Sequence, residues 1–95
     1  MTRTYLVECY WPGISETRLA DAVARVAVER DDSEHVRWLD SIFVPQEEAV
    51  LCLFRGATTA AIDRTCTAAG LPAERIVECV RIATNDIANN EEGIT

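Results

Sequence analysis

Ninety-five residues, 48% hydrophobic and 26% charged, are enough for one modest globular domain and exclude a disordered chain. Sixteen acidic residues against nine basic ones give a net charge of −7, which excludes nucleic-acid backbone as a partner. The longest uncharged apolar run, Ala49 to Phe54, is far too short to span a bilayer, so no membrane partner is expected.

Met1-Thr2-Arg3-Thr4 leads directly into a strand-like segment, so no signal peptide is expected and the expected compartment is the cytoplasm. Tyr5 to Trp11 is rich in aromatic and β-branched residues, and Pro12-Gly13 ends it, which predicts a strand and a turn. Ser15 is placed to cap a helix, with Ile14 and Leu19 at the two positions of a hydrophobic staple. Leu19, Val23, Val26 and Arg30 follow the helical period, and Ala22 and Ala27 widen the stripe so that the helix lies close on a sheet. Asp31-Asp32-Ser33 breaks that pattern.

Val36 to Val44 reads as a second strand, Pro45-Gln46-Glu47-Glu48 as a hairpin connection, and Ala49 to Arg55 as a central third strand. Thr58 caps a second helix whose Ile62, Cys66 and Ala69 share a face, and Gly70 with Pro72 stops it. Ile76 to Ile82 is the last predicted strand. Residues 1–83 thus form one domain, and the polar, acidic stretch 84–95 reads as a loosely attached tail. The order β-α-β-β-α-β predicts a ferredoxin-like α+β sandwich with both helices on one face of a four-stranded antiparallel sheet. Right-handed crossovers put strand three between one and two, and strand one between three and four.

Alternation assigns the faces. Tyr5, Val7 and Cys9, Val50, Cys52 and Phe54, and Val77 and Cys79 are expected under the helices. Charge is costly in a covered core, so Glu8, Arg55 and Glu78 are expected on the opposite face, together with Trp38, Asp40 and Ile42. That open face would carry Leu6, Tyr10, Trp38, Leu51, Leu53, Ile76 and Val80, a patch a monomer rarely leaves in water. A second copy of the same sheet is the simplest cover, so a homodimer is expected.

Cys9, Cys52 and Cys79 fall on one side of adjacent strands, and Cys66 faces them. Core packing, a disulfide and a thiolate metal site are the three readings, and gaps of 43, 14 and 13 positions favour packing over a metal. Glu8 and Glu78, on neighbouring strands and one face, would repel unless a cation, a shared proton or Arg55 relieves them. Their alternative role is an ion pair with Arg55 that fixes a dimer register. The single histidine, His35, reads as a surface residue or a lone ligand.

The segments Tyr5-Leu6-Val7-Glu8 with Pro12-Gly13-Ile14-Ser15, Val36-Arg37-Trp38-Leu39-Asp40-Ser41, Cys52-Leu53-Phe54, and Gly70-Leu71-Pro72-Ala73-Glu74-Arg75-Ile76 follow one another in that order. Together they resemble a family of short bacterial proteins, a domain of unknown function whose best-known type is an actinobacterial nickel-binding, nickel-responsive protein. The resemblance implies a ferredoxin-like fold, dimer formation and binding of a divalent metal. Glu8 matches the family's strand-one glutamate, whereas Trp38 stands where relatives often carry histidine, which removes an imidazole ligand.

Three functions follow, the third a plain interaction module. In a metal-binding or metal-responsive protein, Glu8, Glu78, Asp40 and His35 would supply oxygen and nitrogen ligands suited to nickel or another divalent ion. In a small-molecule enzyme or binding protein, Tyr10, Trp38, Leu51, Leu53 and Arg55 would line a pocket on the open face around Glu8 as acid or base.

Overall fold

The computed structural model describes residues 2–28 and 35–82. In chain order the elements are β1 (Arg3–Tyr10), α1 (Glu16–Val28), β2 (Arg37–Val44), a 3₁₀ turn (Pro45–Glu47), β3 (Ala49–Gly56), α2 (Thr59–Ala69) and β4 (Ala73–Cys79). The strands form one antiparallel sheet in the order β2-β3-β1-β4, the predicted ferredoxin-like topology. Arg30, Asp31-Asp32-Ser33 and the stretch 84–95 lie outside the described residues.

Local chemistry sets the ends of the helices. The Ser15 hydroxyl accepts the Arg18 N–H at 3.2 Å, and Ile14 and Leu19 are both buried beside it. Thr58 caps α2 by accepting the Ala61 N–H at 3.1 Å. Gly70 closes α2 in the left-handed region at φ 78°, where a side chain would be strained, and its N–H returns to Cys66 and Thr67. The hairpin connection is tied to the first turn: the Glu48 carboxylate accepts the Gly13 N–H at 3.0 Å, and the Glu48 carbonyl accepts the Trp11 N–H at 2.7 Å.

Tyr5, Val7 and Cys9 of β1, with Val50, Cys52 and Phe54 of β3, form the floor of the core. Leu19, Ala22 and Val26 of α1, and Ala61, Ile62, Cys66 and Ala69 of α2, close it from above. Gly56 lets α2 approach, since a Cβ there would stand 2.7 Å from the Ile62 side chain. Arg25 Nε donates to the Ala69 carbonyl at 3.1 Å and joins the two helices. Ala27, expected on the buried stripe, is exposed.

A bulge in β2 and the register of β4 decide which side chains face where. In β2 the register shifts between Trp38 and Asp40, leaving Leu39 as the extra residue. Trp38 therefore stands opposite Phe54 and packs against the core, whereas Asp40 and Ile42 keep the open face. In β4, which starts and ends three residues earlier than predicted, the register places Glu8 opposite Arg75, Leu6 opposite Val77 and Val7 opposite Ile76. Ile76 is accordingly core-side, and Val77 and Cys79 are on the open face, the reverse of the expectation. Val80 lies beyond the strand end, 85% exposed. The physical reason is that β4 is an edge strand: its core-side charge, Glu78, opposite Tyr5, stays exposed to solvent without being buried.

Candidate functional site

The helix-free face of the sheet is organised in rows. From the β2 edge to the β4 edge, the first row is Arg37, Arg55, Thr4 and Cys79, and the second is Asp40, Leu53, Leu6 and Val77. The third is Ile42, Leu51, Glu8 and Arg75, and Tyr10 stands one step further along β1. Leu6, Leu51, Leu53 and Val77 are half-buried, whereas Ile42 and Tyr10 are 58% and 50% exposed. A depression of about 90 Å³ opens among Leu6, Asp40, Ser41, Ile42, Leu51 and Leu53.

The expected carboxylate pair does not form. Glu8 is held instead by Arg75, Nη1 to Oε2 at 3.0 Å, and Glu78 lies on the other side of the sheet, where Arg3 holds it at 3.0 Å. Opposite charges on β1 and β4 were the available signal: Arg75 stands directly opposite Glu8, and Arg3 is diagonal to Glu78, which stands opposite Tyr5. Arg55, proposed as the partner of Glu8, sits two rows away, roughly 13 Å along the strands at 3.3 Å per residue. His35 is exposed in the connection before β2, with a left-handed φ of 57°, at the Arg37 end and away from Glu8.

The proposed metal ligands Glu8, Asp40, Glu78 and His35 therefore do not converge within one chain. Among the described residues no group of three His, Cys, Asp or Glu side chains is placed to hold a metal ion. The described donors of a single copy therefore do not fit a resident nickel ion. The proposed pocket residues divide similarly: Leu51 and Leu53 line the depression, with Tyr10 and Arg55 on the same face at opposite ends, and Trp38 is on the core side.

The core side holds a polar chain that sequence reading missed. Trp38 Nε1 donates to Ser41 Oγ at 2.9 Å, and the Ser41 hydroxyl donates to Cys52 Sγ at 3.0 Å. The Cys9 thiol donates to the same sulfur, which raises Cys9 and lowers Cys52, with burial adding to the rise at Cys9. Burial pushes the Cys66 thiol up to about 12, helped by neighbouring Cys52 and Asp63. All four cysteines are free, and Cys79 is separated from the other three by the sheet. Three of them are core side chains, the packing reading of the sequence.

A family model described as "Nickel responsive protein SCO4226-like" matches residues 5–79, and the chain belongs to this family. No curated protein matches it. Among solved structures it is similar to the crystal structure of SCO4226 from Streptomyces coelicolor A3(2), with 26% identity and a TM-score of 0.73 over 84% of this chain and 99% of that one. Among the described residues no helix is long and apolar enough to cross a membrane.

Proposed function

We propose that this chain is a homodimeric ligand-binding protein of the cytoplasm, in which two copies pair their open sheet faces and enclose a small ligand. The observation that carries this reading is the middle of that face. Leu6, Leu51, Leu53 and Val77 form an apolar strip on the side of the sheet that neither helix covers, and a depression opens beside it. Flat apolar sheet faces of this kind are removed from water most readily by a symmetric partner, because each copy offers the same surface. Glu8 and Arg75 then sit within the paired faces and set their register, a role that fits a carboxylate already engaged at 3.0 Å better than acid–base chemistry does. The test is sedimentation of the chain beside Leu53→Asp. A dimer that Leu53→Asp converts to a folded monomer supports the reading, and a monomeric parent chain contradicts it.

A second reading takes a divalent ion such as nickel as the ligand, and the family's description favours it. Since one chain's described donors do not converge, the ion would draw on carboxylates from both copies, Glu8 and Asp40 being the two on the open face. Calorimetric titration with nickel, zinc and cobalt tests it. Binding at half an ion per chain that Glu8→Gln or Asp40→Asn removes supports this reading, and no heat with any of the three ions sinks it.

A further inference from the structure

The first row of the open face is unusual in an acidic protein. The register sets Arg37 directly opposite Arg55, both exposed, although like charges facing each other across a strand pair are destabilising. Neither guanidinium has a hydrogen bond or an ion pair among the described residues, whereas those of Arg3, Arg25 and Arg75 each have an acceptor. Among the described residues this first row thus carries two cations and no carboxylate, in a chain of net charge −7. The charge therefore suits an anionic occupant. One row inward, roughly 7 Å away by strand geometry, Leu53 and Leu6 begin the apolar depression. Asp40 is the one carboxylate lining that depression, and it is turned back to accept the Ser41 N–H at 2.9 Å.

We propose that Arg37 and Arg55 form an anion anchor for a small organic acid whose oxyanion head lies across the two guanidinium groups and whose short apolar body lies in the depression. The inference rests on reading the open face as a ligand surface, and it names the class of ligand. Two planar guanidinium forks can take one carboxylate or phosphate by parallel charge-assisted hydrogen bonds, and such bonds offset the cost of holding two cations side by side. A volume near 90 Å³ limits the body to a few carbons. The apolar wall, for its part, has no use for a bare inorganic anion.

The experiment is a nuclear magnetic resonance titration of the full chain with hexanoate, 1-hexanol and inorganic phosphate, on the parent protein and on the Arg37→Gln/Arg55→Gln double variant. Hexanoate is expected to shift the amides of Arg37, Leu53 and Arg55 and to bind at least ten-fold more tightly than hexanol or phosphate. In the double variant that advantage should vanish. Equal binding of hexanoate and hexanol would overturn the anchor, as would a hexanoate preference that survives the double variant. Phosphate binding as tight as hexanoate would show a generic cationic surface and overturn the apolar half. Should the double variant not fold, the comparison of the three ligands on the parent chain decides alone. Translational diffusion in the same samples reports the oligomeric state, so a monomer would sink the homodimer reading while leaving the ligand comparison intact.

Discussion

Leu53 and Phe54 are neighbours in β3, yet they belong to the two different faces of one sheet. Phe54 is fully buried under the helices among Tyr5, Val7 and Ile62, whereas Leu53 is half-buried on the face that neither helix covers. The covered face is closed by packing and by one polar chain, Trp38 to Ser41 to Cys52, whose members satisfy one another. The open face instead carries the Glu8–Arg75 pair at one end of an apolar strip, Arg37 and Arg55 at the other, and Asp40 at its β2 edge. The covered face builds the core of the monomer, and the open face is the one proposed to meet a second copy.

Paired substitutions across β3 sharpen this contrast most. Phe54→Ala should cost about 3–5 kcal/mol of folding stability through the lost apolar contacts and the cavity left behind, measured by urea denaturation. Leu53→Ala should change monomer stability by less than about 1 kcal/mol and act on association instead, because its side chain is only half-covered within one chain. If the two substitutions cost the same under conditions where the chain is monomeric, the division between faces is wrong.

The buried thiols should make the covered face sensitive to alkali. Cys66 titrates in the fold at about 12 against an ordinary 9.0, so the fold holds it neutral while the unfolded chain lets it ionise. Its contribution is fully present below pH 9 and is lost as pH rises toward 12. Stability measured by denaturation across pH 8 to 12 should therefore fall for the parent chain and fall less steeply for Cys66→Ala. Identical slopes for the parent chain and Cys66→Ala would contradict the assignment.

Smaller effects test the supports. Thr58→Ala should cost about 1 kcal/mol by freeing the Ala61 N–H at the start of α2, with Thr58→Asn restoring most of it. Glu8→Gln should cost the monomer no more than about 1 kcal/mol, since Arg75 is 67% exposed and Glu8 36% exposed, and a solvent-screened pair contributes little. A larger loss of association than of folding on Glu8→Gln would place the pair inside the dimer interface.

Much of the fold is legible in the sequence because several local signals agree. The Ser15, Thr58 and Gly70 caps, the alternation of β1 and β3, and the topology all follow from residue types whose physics is local. The site is less legible for two reasons. A bulge at Leu39 turns Trp38 to the core, and strict alternation has no means of registering an extra residue. In β4 both faces carry charge, so the rule that charge faces away from the core has nothing to discriminate, and the edge position lets Glu78 stay wet beside Arg3. Glu8 was placed on the right face with the wrong companion, because a partner one strand away depends on register and not on composition. Arg37 was passed over for the same reason: its opposition to Arg55 exists only once the strands are paired.

The central claim, that the open face is covered by a second copy, is tested most directly by light scattering of the unmodified chain from about 1 to 100 micromolar. A homodimer should show twice the 10.5 kDa mass of one chain across the upper part of that range, with any dissociation confined to the lowest concentrations. A mass of one chain at every concentration would contradict it.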